Sequence, residues 1–136
     1  YLLMKDNKFI EGSALGVFGE NFNHSGKKMI SKNQYKIYGT TIDYLLNNKI
    51  LDFPNYIKID VDGLEHIILN GAKNLLKNKK IKSISIEINE NFSSQYNKIL
   101  KIMKKNNFII KQKKRNSLFY QNNQFAKTYN YVFSKN

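Results

Sequence analysis

No cysteine occurs in the 136 residues, so the chain has no disulfide framework and no thiolate metal site. That composition makes a reducing compartment the default, and a cytoplasmic location is expected. No apolar run approaches the roughly 18–20 residues of a membrane span, and nothing marks a signal peptide. Arginine is nearly absent: Arg115 stands alone beside 22 lysines. Acid is scarce as well, with ten Asp and Glu against 23 cations and a net charge of +13. Such a charge invites nucleic acid, because phosphate contacts need cations. Base readout and bidentate phosphate contacts favour Arg, however, and the lysines are scattered rather than blocked. With twenty Asn they read as an AT-rich coding bias and a solvated basic surface, so no nucleic-acid partner is expected. The length suits one domain, or part of one, and can bury a core. The chain begins at Tyr1 rather than Met, so an upstream segment is expected.

Residues 1–38 form an irregular or short-strand segment. Residues 8–10 and 15–18 are candidate short strands, and 21–28 read as a polar turn. Gly16 and Gly19 do not make a dinucleotide fingerprint, which needs a third glycine between a strand and a helix. A helix starts at Thr40, with Thr40 as cap and Asp43 completing a capping box. Its apolar positions are Ile42, Leu45 and Leu46. The only proline, Pro54, precedes a strand over 56–60. A helix over 64–77 follows, with Leu64, Ile67, Ile68, Gly71, Ala72, Leu75 and Leu76 at the spacing of a helix laid on a sheet. Gly71 is expected to let that helix approach the sheet closely. A second strand over 81–89 puts Ile84, Ile86 and Ile88 on one face and Ser83, Ser85 and Glu87 on the other. A helix over 93–106 uses Tyr96, Ile99, Leu100 and Met103. Strands over 108–111 and 129–133 close the pattern around a polar loop or hairpin arm. Alternating strands and helices argue for a parallel α/β sheet, and the final strand, following without a helix, is antiparallel.

The scarce acid collects at one junction. Asp60, Asp62 and Glu65 fall within six residues, where the first strand of this pattern runs into its helix. Ligands of open α/β sheets sit beyond the carboxyl ends of parallel strands. Asp62 stands where an N-cap belongs and Glu65 three residues on, so part of this acid has a structural reading. Asp60 closes the strand before the helix and has no such role. Glu87, Asn89 and Glu90 should line the rim beside it, with a Lys58–Glu87 pair across the strands. His66 is a candidate general base because its unperturbed pKa lies near neutrality, and His24 is a weaker one. Asp60-Val61-Asp62 also matches the D-x-D that holds a divalent metal in many glycosyltransferases.

Tyr56-Ile57-Lys58-Ile59-Asp60-Val61-Asp62-Gly63-Leu64-Glu65, followed by Ile68-Leu69-Asn70-Gly71-Ala72, resembles the signature of FkbM-type methyltransferases, "IKIDVEG-x-E" and then "VL-x-GA". Asp62 replaces the usual Glu. Thr41-Ile42-Asp43 resembles the family's upstream "TLD", residues 85–90 its acid-bearing strand, and Asn130-Tyr131-Val132-Phe133 its closing strand. The resemblance covers about residues 40–133. It implies a class I methyltransferase (Rossmann-like) sheet ordered 3-2-1-4-5-7-6, of which residues 39–136 would supply the C-terminal half, strands 4-5-7-6 with the last antiparallel. No counterpart of strands 1 to 3 is evident, so this chain would hold one wall of a cofactor cleft, with strand 4 as an open edge. Weak or no cofactor binding by the isolated chain follows as an expectation. The family implies S-adenosylmethionine as cofactor and O-methylation of a sugar or glycan-like acceptor. Asp60 is the expected positioning group or base, with Glu65 and Glu87 supporting and no metal. Two alternatives stand beside this reading: a metal-dependent glycosyltransferase fragment using Asp60-Val61-Asp62, and a non-enzymatic basic binding module.

Overall fold

The structure, a computed structural model, describes residues 1–6, 16–115 and 126–135. Two sheets organise it. A small antiparallel sheet, ordered β2-β1-β3, joins β1 (Leu2–Asp6), β2 (Val17–Phe18) and β3 (Asn33–Ile37). The helix α1 (Ile42–Asn47) leads to β4 (Tyr56–Ile59), α2 (Glu65–Asn70), α3 (Lys73–Lys77), β5 (Ser83–Asn89), α4 (Ser93–Lys105), β6 (Phe108–Lys114) and β7 (Thr128–Lys135). The second sheet is ordered β4-β5-β7-β6. β4 and β5 are parallel, while β7 runs antiparallel to both β5 and β6. The expected order and the antiparallel ending are both found, and β4 is a terminal strand of this sheet.

The core follows from the alternation in β5. Ile84, Ile86 and Ile88 are fully buried. They share a cluster with Tyr131 and Phe133 of β7, with Leu69, Leu75 and Leu76 of the helices after β4, and with Ile99 and Met103 of α4. Each such side chain contributes about 1.5–3 kcal/mol on burial. The opposite face of β5, carrying Ser83, Ser85 and Glu87, is only half-buried. That face leads to the site.

Three local expectations are corrected. First, the small sheet contains strands that the apolar pattern does not announce, β1 and β3. Of the two expected short strands, Val17–Phe18 is found as β2, whereas residues 8–10 lie outside the described residues. The turn over 21–28 is found, closed by a Phe22–Lys28 bridge. Second, Thr41, not Thr40, caps α1, accepting from the Tyr44 amide at 3.2 Å.

Third, the helix expected over 64–77 is two helices. Asp43 is the cause. Its carboxylate does not close a box on its own helix; it accepts from the amides of Asn74 (2.8 Å) and Leu75 (3.0 Å). Those amides are thereby capped by a side chain from α1 instead of by carbonyls one turn back. In return the Asp43 amide donates to the Gly71 carbonyl at 3.2 Å. Gly71 serves this junction and not the sheet, since a Cβ there would lie 3.0 Å from Thr41 Cγ2. Asp43→Ala should therefore cost about 1–2 kcal/mol, the range for losing a side-chain cap. Urea unfolding measures it, and Asp43→Asn should retain part of the stability.

Candidate functional site

Parallel pairing of β4 and β5 sets the geometry. Lys58 lies opposite Ser85 and Ile59 opposite Ile86, so one residue further on Asp60 comes beside Glu87. Burial first, then the Asp60 charge and a hydrogen bond with the Asp60 carboxylate, push Glu87 up to about 7. Asp62 adds to the push, and Lys58 draws it back only slightly. Lys58 instead pairs with Asp60 at 2.6 Å. The expected cross-strand Lys58–Glu87 pair is thus replaced by a pair between Lys58 of β4 and Asp60, one residue past its end, because residues two apart in extended chain point to the same side. Both partners are exposed, at 63% and 39%, so their bond adds little stability but orients the Asp60 carboxylate.

Asp62 and Glu65 differ from the capping box expected of them. Leu64, not Asp62, holds the cap position of α2, without a side-chain hydrogen bond, and Glu65 is the first helical residue. Asp62 (φ 53°) and Gly63 (φ 109°) are both left-handed, so the chain turns sharply before the helix begins. Glu65 holds that turn. It is 3% exposed, and its Oε1 accepts from the amides of Val61 (3.3 Å) and Gly63 (3.2 Å). Gln95, reaching over from α4, donates to Glu65 Oε2 at 2.7 Å and also to the Gly63 carbonyl. Glycine is required at 63, since a Cβ would sit 3.1 Å from the His24 backbone. Sequence reasoning missed Gln95 because its role depends on a helix 30 residues away.

The remaining candidates separate cleanly. Asn89 shares with Glu87, Asp62 and Gln95 a polar recess of about 20 Å³, room for a single water-sized molecule. Glu90 leaves the rim: it pairs with Lys113 at 2.6 Å and accepts from the Tyr131 hydroxyl. His66 is buried among Phe22 and Phe92, with ring centroids 6.3 Å away in each case. Burial, with Lys98 adding, lowers its pKa. That setting is a packed aromatic cluster, and within it His66 Nδ1 is buried without a hydrogen-bond partner among the described residues. His24 packs its backbone against Gly63 and lines the recess, its carbonyl accepting from the Asn89 side chain at 3.4 Å.

A larger feature was not foreseen. A cleft of about 660 Å³ opens between the small sheet and the helices α1 and α2. Val61 and Asp62, the residues after Asp60, form part of its wall. Its signal was hidden because nine of its 18 lining residues come from residues 1–39, the segment whose sequence pattern reveals least.

A mixed sheet with acid gathered at the carboxyl ends of its parallel strands is compatible with a Rossmann-like α/β fold. The sequence matches the Methyltransferase FkbM domain over residues 5–110. The chain therefore belongs to the FkbM methyltransferase family. The match begins at residue 5, inside the segment for which the motifs offered no counterpart, and extends the resemblance well upstream of residue 40. No curated protein and no solved structure matches the chain. Among the described residues, no group of three or more His, Asp or Glu could hold a metal ion, and no helix is long and apolar enough to cross a membrane.

Proposed function

We propose that this chain activates the acceptor in an S-adenosylmethionine-dependent O-methyltransferase whose acceptor is a sugar or glycan-like hydroxyl compound. The observation that supports this most is the Asp60–Glu87 pair: two adjacent carboxylates at the strand ends, one of them pushed up to about 7. A general base works best with a pKa near the operating pH. Glu87 meets that condition, and Asp60, exposed and oriented by Lys58, can accept the acceptor hydroxyl's hydrogen bond.

When bound, S-adenosylmethionine supplies an electrophilic methyl group on sulfonium. One side of such a cofactor would lie at the carboxyl end of β4, where Asp60 stands, and no glycine-rich turn following a parallel strand is found among the described residues. The proton chemistry therefore rests on this chain's own side chains. Asp60 orients the hydroxyl, the carboxylate pair takes its proton, and Glu65 fixes the turn that carries Asp60 into place. Orientation supplies much of the rate in a displacement of this kind.

The test is methyl transfer by the intact protein, read as S-adenosylhomocysteine formed with a panel of hydroxyl acceptors. Asp60→Asn should lower turnover about 100-fold or more, the scale of general-base loss. Full activity in Asp60→Asn and Glu87→Gln alike would refute the assignment. Metal-dependent glycosyl transfer predicts instead a Mn²⁺-dependent loss of a sugar nucleotide, with no S-adenosylhomocysteine.

A further inference from the structure

The cleft between the small sheet and the helices has an unusual electrical character for this chain. Its walls are apolar, built from Leu2, Phe18, Ile42, Leu64, Ile67 and Ile68 among others. Ile67 is 38% exposed and Leu2 53%, so this apolar surface is open to a ligand. The only charged side chains among its described lining residues are Glu20 and Asp62, both acidic, while the Lys5 ammonium lies just behind the lining, donating to the Glu20 carbonyl at 3.1 Å. In a chain with 23 cations and ten acids, such a lining runs against the composition. A volume of about 660 Å³ lies within the roughly 300–1,000 Å³ of small-molecule sites.

We propose that this cleft binds a small molecule with an apolar body and a positive charge, the charge lying toward Asp62 and Glu20. As an acceptor subsite this rests on the methyltransferase reading, and it narrows the acceptor: a bare sugar would leave the apolar walls unused. An amino sugar carrying an apolar aglycone presents the required features together. The cleft adjoins the reacting carboxylates, since Asp62 lines it and its charge also acts on Glu87.

The net charge makes the test sharp. A protein at +13 attracts anions everywhere, so a preference for a cation can come only from the local acid. The probes are dodecyltrimethylammonium, dodecyl maltoside and dodecyl sulfate below micelle formation, without cofactor, followed by methyl NMR shifts of Val61, Leu64, Ile67 and Ile68. The ammonium should bind most tightly at these methyls, about tenfold better than the sulfate. Ile68→Lys should weaken ammonium binding at least about tenfold by placing a like charge in the cleft. Asp62→Asn is the gentler variant, because Asn tolerates the left-handed backbone at this position. It should reduce the ammonium-to-maltoside ratio about threefold to tenfold while leaving the maltoside affinity in place. Sulfate binding as tight as ammonium at these methyls, or no shift with any probe, overturns the proposal. Probe binding is read without turnover, so failure of methyl transfer leaves it standing. Methyl transfer without probe binding removes this inference alone.

Discussion

Glu65→Ala should lower the unfolding free energy by about 3–5 kcal/mol, because three donors lose their acceptor and each buried, unsatisfied group costs about 1–3 kcal/mol. The donors are the amides of Val61 and Gly63 and the side chain of Gln95. The turn they stabilise is intrinsically unfavourable. Asp62 is a non-glycine residue at φ 53°, a conformation that costs an ordinary residue roughly 1–2 kcal/mol. Without the carboxylate, nothing else described bonds the Gly63 amide. Chemical denaturation would check the value, and a change below about 1 kcal/mol would show that the turn is held elsewhere. Glu65→Gln should cost less, since one oxygen remains to accept from the two amides, while its new NH₂ group faces the Gln95 donor.

The same residue gives stability a pH dependence with a defined sign. Burial pushes the Glu65 carboxyl up, against the lowering effect of hydrogen bonds from its own amide and those of Gly63 and Val61. The folded-state value lies above the unfolded one, so the folded protein holds this proton more tightly. Its contribution is complete below the unfolded carboxylate range and is lost as the pH rises through the folded value. Glu87 acts in the same direction over the window from the ordinary carboxylate range to about 7. Stability should therefore decline as the pH approaches neutrality, and Glu65→Gln should flatten part of that decline.

How far the sequence announces this arrangement depends on the range of each interaction. The β4-β5-β7-β6 sheet is legible because its strands and helices carry their own periodicity: Ile84, Ile86 and Ile88 alternate, and Ile99 and Met103 repeat at helical spacing. The small sheet, apart from β2, is illegible for the converse reason. Its β3 strand reads Asn-Gln-Tyr-Lys-Ile, and its first four residues are exposed, so no buried face imposes a pattern. The split of the helix after β4 is hidden because Asp43, more than 30 residues from the amides it caps, reads locally as a residue of its own helix. At the junction, the motif marked the right place but not the roles. Asp62 and Glu65 sit at capping spacing, yet left-handed backbone at Asp62 and Gly63 delays the helix and turns Glu65 inward. The pairing of Asp60 with Glu87 depends on the strand register, which sequence spacing alone does not set.

That register carries the last expectation, a pH–rate profile with the inflection of Glu87. Glu87→Gln should lower kcat/KM about 10²- to 10⁴-fold, the range for a positioned general base. In the unaltered protein the rate should climb about tenfold per pH unit on the acid side and level off above about 7, because only the ionised carboxylate can take the proton. The neighbours supply a finer test. Asp60 raises the Glu87 value by its charge and its hydrogen bond, second only to burial. Asp60→Asn should therefore move the inflection of its residual activity downward. Lys58→Met should move it upward, since Lys58 favours the charged form of Glu87 directly. A residue with only a structural role would change the plateau and leave the inflection alone. Opposite displacements in the two variants would place the proton on Glu87. A profile unmoved by either substitution would take the base away from this pair and leave Asp60 as an orienting group only.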